Sequence, residues 1–97
     1  MRINAVAFST NGCRTAIRLK AAFPDEDLRI FCKTKSDTLG VEQIEGSTGE
    51  WTGRSFEECD AIVYIGAIGI AVRYIAPYVK SKTKDPAIVC MDEHGKW

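Results

Sequence analysis

Glycines that follow an apolar run are the residues of this sequence best suited to bind an anion. The run 61–65 predicts a buried strand, and residues 70–76 predict a helix that begins soon after it. Glycines between the two allow a ligand to approach the backbone, and free N–H groups at a helix start favour an anion. A tight turn that serves only strand–helix packing explains the glycines equally well. The predicted binding residues are Gly66, Ala67, Gly69, Ile70 and Arg73, whose guanidinium suits a carboxylate.

Two other segments contain residues that could contact the same ligand. Four residues of common helix-capping types follow the first apolar run, namely Ser9, Thr10, Asn11 and Gly12. Helix capping is the simpler explanation for them, but in a parallel sheet they would lie at the same edge as the glycine turn, where open α/β folds bind ligands. Lys82 belongs to a basic run, residues 80–84, that is either a solvated loop or an electrostatic rim for a polyanion.

The cysteines and the single histidine predict neither a metal site nor a catalytic triad. The four cysteines contain no Cys-x-x-Cys pair, which argues against zinc. Cys32 and Cys90 lie in apolar runs, so we expect buried thiols in a reducing cytoplasm. His94 lies in a polar turn and is expected to be an exposed bystander. Asp92 and Glu93 precede it directly, and adjacent carboxylates do not make a matched acid–base pair, so the catalytic residues stay unassigned.

The composition is that of one small globular domain. With 97 residues, 45% hydrophobic and 27% charged, the chain is expected to form a single domain over residues 1–97. Its zero net charge argues against nucleic-acid binding, and no apolar run approaches the roughly 18 residues of a membrane span. The charges are nevertheless sorted by segment, with −5 over residues 42–60 and +4 over residues 61–84. The positive segment contains the glycine turn, which is consistent with an anionic ligand.

Alternating strand and helix patterns predict the fold class. A short strand is expected in the polar loop 33–46, and the clearer strands are predicted over 3–8, 28–32, 61–65 and 87–91. Helical patterns separate them, and the unbroken apolar strands are typical of a sheet covered on both faces. The sequence therefore predicts a small three-layer α/β/α domain, Rossmann- or flavodoxin-like, with a mostly parallel sheet of four or five strands.

Two helices are predicted in the first 60 residues. The first is expected over 13–23, with Phe23 on its buried face. The second begins after Ser47, which has the capping-box spacing to Glu50, and buries Trp51 and Phe56.

The second half of the chain resembles a known family. It closely resembles the N-terminal region of the cobalamin-biosynthesis protein CbiG family, the cobalt-precorrin-5A hydrolases. The residues that carry the resemblance are Tyr-Ile-Gly-Ala-Ile-Gly-Ile-Ala-Val-Arg-Tyr-Ile-Ala-Pro at 64–77, Lys82, Lys-Asp-Pro-Ala-Ile-Val at 84–89 and Asp-Glu-His-Gly-Lys at 92–96. The clear match covers about residues 60–97. Residues 47–59 fit more loosely, and the first half matches mainly in its strand–turn–helix layout.

The resemblance implies an enzyme that opens the lactone of a cobalt corrinoid and releases acetaldehyde. The substrate would be a large macrocycle fringed with carboxylates, and because it carries the cobalt, no separate cofactor is expected. The partners expected are that substrate and the C-terminal domain of a longer family protein, without nucleic acid or membrane. A chain cut short at its C-terminal edge would expose a sheet edge through which a dimer could form. The compartment expected from the cysteines is the cytoplasm, and the family assigns no catalytic residue here.

Two alternatives remain open from the sequence. The domain could be a non-catalytic binding or assembly part of that hydrolase, whose partner domain performs the chemistry. It could also be an unrelated flavodoxin-like module that binds phosphate or a nucleotide at the glycine turn.

Overall fold

A computed structural model describes residues 1–66 and 85–94. Within these ranges the strands are β1 (Arg2–Ala7), β2 (Asp27–Cys32), β3 (Glu42–Gln43), β4 (Ala61–Ile65) and β5 (Ala87–Met91). The helices are α1 (Thr10–Ala22) and α2 (Thr48–Glu58). The helix predicted over 70–76 lies outside the described residues. Neither described helix has the length and apolar character needed to cross a membrane.

The strands form one parallel sheet in the order β3-β2-β1-β4-β5. β1 is central, and its Ala5 is aligned with Ile30 of β2 and Val63 of β4. All five residues of β4 are buried, as expected for a parallel strand covered on both faces. The predicted α/β fold class is therefore confirmed, with five strands in the described part of the chain.

The two helices cover opposite faces of the sheet. Alternate side chains of a strand point to opposite faces, and the buried side chains divide accordingly into two clusters. One cluster joins α1 to β1 and β4 through Ala5, Ala7, Cys13, Ala16, Val63 and Ile65. The other joins α2 to the same strands through Val6, Trp51, Ile62 and Tyr64. This arrangement confirms the three-layer α/β/α architecture.

Helix α1 begins three residues earlier than the sequence predicts. The Ser9 side chain accepts a hydrogen bond from the Gly12 N–H at 2.9 Å, and the Ser9 carbonyl accepts the first helical bond, from the Cys13 N–H, also at 2.9 Å. Thr10 is therefore the first helical residue, and the predicted start at Cys13 is wrong. Ser9 is a strong N-cap, and this outweighs the weak helix propensity of the three residues that follow it.

The other end of α1 also corrects a prediction. Phe23 is the C-cap residue, with φ −125° and ψ 62°, and its side chain lines an open apolar cavity together with Leu19 and Leu28. It is 51% exposed, whereas the sequence predicts it on the buried face of the helix. Leu19 does pack against the core cluster of α1.

Helix α2 begins where the sequence predicts. Ser47 is its N-cap and accepts a hydrogen bond from the Glu50 N–H at 3.1 Å. Trp51 is buried and meets Phe31 and Tyr64 edge to face, with ring centroids 5.8 and 6.1 Å apart. Phe56 is half-buried against the same cluster.

Candidate functional site at the carboxyl edge of the sheet

The connections of the sheet change direction between β1 and β4. β1 leads through α1 to β2 on one side, whereas β4 is followed in the sequence by β5, its neighbour on the other side. In open α/β sheets, ligands bind outside the carboxyl ends of the strands at such a switch point. Ser9 follows β1 and Gly66 follows β4, so two of the sequence-predicted segments flank this position.

Gly12 lets the first turn of α1 approach the end of β1 closely. A Cβ atom at this position would lie 3.1 Å from the Ala7 Cβ and 3.2 Å from the Ser9 Oγ, and 3.5 Å from the Ile65 carbonyl oxygen of β4. The first two contacts are tighter than most packing contacts of a Cβ atom, so a side chain at this position would push its neighbours aside. Because residue 12 is a glycine, the N-terminus of α1 can pack against the ends of β1 and β4.

Gly66 turns the chain out of β4 in a left-handed conformation. Its φ is +86°, a region that side-chain-bearing residues rarely adopt. Its N–H donates to the Met91 carbonyl at 2.8 Å, which ties it to the end of β5. A Cβ at Gly66 would touch the Glu93 Cβ at 3.5 Å, so Gly66 lies directly beside Glu93.

Glu93 makes contacts at this edge that the sequence does not predict. The Ser9 hydroxyl donates to Glu93 Oε2 at 2.7 Å, and the Thr15 hydroxyl donates to the Glu93 carbonyl. On its other side, Glu93 Oε1 lies 3.8 Å from Nε2 of His94. Ser9 and Glu93 are 84 positions apart, and the order β1-β4-β5 is what makes them neighbours.

His94 is exposed, as predicted, but it is paired with Glu93 rather than isolated. Its side chain is 68% exposed, and its backbone N–H donates to Asp92 Oδ1 at 2.9 Å. The resulting order is serine, carboxylate, imidazole, in which the serine hydroxyl donates to the carboxylate. A serine nucleophile needs an imidazole on its own hydroxyl, so this cluster is not a catalytic triad. Its carboxylate and imidazole can instead accept a proton from, or orient, a water molecule.

The other residues of the first capping segment are used elsewhere. The Thr10 hydroxyl donates to the Asp37 carbonyl at 2.7 Å, and the Asn11 side-chain oxygen accepts from Arg14 Nη1 at 3.0 Å. Neither side chain is brought to Gly66. Five sequence-predicted binding residues lie outside the described part of the chain, namely Ala67, Gly69, Ile70, Arg73 and Lys82.

The thiols are not activated nucleophiles. Cys13 and Cys32 are buried, and burial, with the neighbouring Cys13, raises the pKa of Cys32 from 9.0 to about 11. Burial likewise raises the pKa of Cys13, Cys59 and Cys90. Cys90 is half-buried rather than buried as predicted, because β5 is an edge strand over the described residues. Across residues 1–66 and 85–94, no three His, Cys, Asp or Glu side chains are grouped to hold a metal ion.

The fold and this edge define a parallel α/β domain of the kind that binds ligands at the ends of its strands. Comparison with known proteins identifies the family. Residues 50–97 match the family described as Cobalamin synthesis G N-terminal. The chain is 38% identical over 85 residues to the Cobalt-precorrin-5A hydrolase of Salmonella typhimurium. The matched residues make up 88% of this chain and 23% of that protein.

Two further relatives agree. The chain is 30% identical over 94 residues to the Cobalt-precorrin-5A hydrolase of Priestia megaterium, covering 94% of this chain and 25% of that protein. A crystal structure of a cobalamin biosynthesis protein G homolog from Sulfolobus solfataricus superposes with a TM-score of 0.65 at 27% identity, over 95% of this chain and 26% of that one. The chain belongs to the cobalamin synthesis G family, corresponds to its N-terminal region, and spans about a quarter of the length of these relatives.

Proposed function

We propose that this protein is the substrate-binding part of a cobalt-precorrin-5A hydrolase, and that its carboxyl edge binds the carboxylates of a cobalt corrinoid. The reaction of the whole enzyme would open the lactone of the corrinoid and release acetaldehyde in the cytoplasm. Cobalt enters with the substrate, so the proposal assigns no resident metal or other cofactor to the protein. The similarity to two relatives of that name, over 88% and 94% of the chain, supports the assignment.

The observation that carries the location of the site is the switch point at this edge, where the capped N-terminus of α1 lies beside the end of β4 and the Gly66 turn. Glu93 lies where β1, β4 and β5 end, hydrogen-bonded by the hydroxyl that caps α1. The positive end of the α1 dipole therefore lies at this edge, where it attracts an anion. Because Glu93 is itself negative and already holds the Ser9 hydroxyl, a ligand carboxylate at the Gly66 turn would depend on the cationic Arg73 and Lys82 that the sequence predicts as its partners.

Glu93 and His94 then have a chemical role within the proposal. A lactone is opened by water, which needs a group to accept its proton. The Glu93 carboxylate and the exposed His94 imidazole, 3.8 Å apart, would accept that proton beside the bound macrocycle. Groups from the remaining three quarters of the relatives, including a C-terminal partner domain, would complete the active site.

Binding and turnover test the proposal separately. Removing the Arg73 guanidinium (Arg73→Ala) is expected to weaken binding of a carboxylate-bearing cobalt corrinoid by roughly 10- to 150-fold, the loss of a charge-assisted hydrogen bond. Arg18→Ala is the matched control, because Arg18 is exposed on α1 and lies about two turns away from this edge of the sheet. Equal affinity of the wild type and Arg73→Ala would contradict the role of Arg73.

Acetaldehyde release from a lactone-bearing cobalt corrinoid is the turnover assay. Glu93→Gln is expected to reduce release with little change in corrinoid affinity. If the protein alone releases none but restores release when mixed with the remaining part of a relative, it is the non-catalytic binding domain of that enzyme. Thermal protection by phosphate, with none from the corrinoid, would instead support the phosphate-binding alternative.

A further inference from the structure

A cavity opens at the same edge of the sheet, on the other side of β1 from Gly66. It has a volume of about 590 Å³ and lies where β1, β2 and β3 end, within the range of ordinary ligand pockets. Its described lining consists of Phe8, Lys33, Thr34, Lys35, Gln43 and Ile44. The sequence left this loop without a role.

The loop that carries the two lysines is held in place by a side chain of β3. Gln43 Nε2 donates to the Thr34 carbonyl at 2.5 Å, and Gln43 Oε1 accepts from the Thr34 N–H at 3.3 Å. The amide thus pairs with both backbone groups of Thr34, as a strand would. The Lys33 N–H donates to the Ala7 carbonyl at 2.8 Å, which fixes the start of the loop to the end of β1.

The cavity combines positive charge with an apolar wall. Phe8 and Ile44 pack against the cluster on the α2 side of the sheet, so they form a firm apolar surface. Lys33 and Lys35 are exposed, and Lys33 Nζ donates to the Gly46 carbonyl at 2.8 Å. Among the described residues, no carboxylate side chain lines the cavity. An ammonium group beside an apolar wall suits an organic carboxylate better than a compact inorganic anion.

The spacing of the strands sets the size of a ligand that touches both parts of the edge. β2 and β4 lie on either side of β1, so their ends are about 10 Å apart, two strand spacings. A ligand that contacts Gly66 after β4 and the loop of Lys33–Lys35 after β2 must be at least about 10 Å wide. A large amphipathic polycarboxylate meets this requirement, whereas a single small acid does not.

We infer that the cavity of Phe8 and Lys33–Lys35 is a second carboxylate subsite, which holds an acidic side arm of the macrocycle while the Gly66 turn holds another. The inference rests on the proposed function and extends it by a specific contact. Lys35 supplies the charge, and Phe8 and Ile44 contact the apolar part of the arm. Lys33, anchored to Gly46, orients the loop.

The test measures binding of a cobalt corrinoid with free carboxylates and of its methyl ester to the wild type, Lys35→Met, Lys35→Arg and Lys20→Met. Lys20 is an exposed lysine in the last turn of α1, at the opposite end of the helix from this edge, and it serves as the matched control. Lys35→Met should weaken binding of the acid about fivefold, the size expected for a partly exposed ion pair. Its affinity for the ester should not change, and Lys35→Arg and Lys20→Met should bind like the wild type.

Each result has a distinct meaning. If the wild type binds the acid and Lys35→Met binds it equally well, the subsite is wrong and the proposed function stands. If the wild type does not bind the acid, the proposed function fails and the subsite fails with it. If inorganic phosphate binds with the same affinity as the acid, and Lys35→Met weakens that phosphate binding too, the apolar contact proposed for Phe8 and Ile44 is wrong.

Discussion

Replacing Ser9 with alanine should destabilise the protein more than the loss of a helix cap explains. The Ser9 Oγ accepts from the Gly12 N–H at 2.9 Å and donates to Glu93 Oε2 at 2.7 Å. Losing the cap costs about 1 kcal/mol. The bond to Glu93 adds about 1 kcal/mol, below the usual value for a charged acceptor because the Glu93 side chain is 38% exposed. We therefore expect Ser9→Ala to lower the free energy of unfolding by about 2 kcal/mol.

Ser47→Ala is the matched control for this prediction. Ser47 caps α2 through the Glu50 N–H at 3.1 Å, and within the described residues its hydroxyl meets no carboxylate of a strand end. Its replacement should cost about 1 kcal/mol, so the two variants should differ by about 1 kcal/mol in urea denaturation. In a Glu93→Ala background the difference should vanish. A difference below about 0.3 kcal/mol in the wild-type background, or one that persists without Glu93, would refute the reasoning.

Three further perturbations follow from the packing. Gly66→Ala should cost about 1–2 kcal/mol, because φ is +86° there, and Gly66→Asn should cost less; equal losses in urea denaturation would show that the left-handed turn is not the reason. Tyr64→Phe should cost about 1–2 kcal/mol, because it leaves the buried Thr52 hydroxyl, 2.8 Å from the Tyr64 hydroxyl, without this bond; an unchanged urea midpoint would contradict this. Burial raises the pKa of Cys32 from 9.0 to about 11, so the stability it contributes is present below pH 9 and is lost as the pH rises towards 11. The urea midpoint of the wild type should fall more steeply over that range than the midpoint of Cys32→Ala, and parallel slopes would disprove it.

The strands were predictable where burial alone determines their composition. β4 is apolar at every position because helices cover both faces of the sheet there, and this produces a continuous run in the sequence. β3 is only Glu42 and Gln43, both exposed, so nothing in its composition marks it beyond a short strand in a polar loop. Its position depends on pairing with β2, which no local pattern encodes.

The helix starts show the same division between local and tertiary causes. Ser47 and Glu50 have the spacing of a capping box, which predicts a helix start directly. Helix α2 begins at Thr48, immediately after Ser47. At α1, Thr10, Asn11 and Gly12 favour turns over helices. They are helical here because Ser9 caps them and because Gly12 packs against Ala7.

The candidate site was predictable only in the part that follows from the order of a parallel sheet. Ser9 and Gly66 each follow a predicted strand, and parallel strands bring such residues to one edge. The contact of Glu93 with Ser9 was not predictable, because it depends on β5 lying beside β4. The signal that could have found it is an acidic residue just after the last apolar strand. Lys35 was missed because Gln43, a residue of β3, places its loop.

Amide chemical shifts during titration with a carboxylate-bearing cobalt corrinoid test the central claim most directly. If the carboxyl edge binds the macrocycle, the largest shifts among the described residues should be those of Gly12, Gly66 and Thr34. The amides of Asp27 and Asp60, at the opposite ends of the strands where they bond to Met1 and Arg2, should not move. Shifts confined to Asp27 and Asp60, or no shifts at all, would contradict a corrinoid site at this edge.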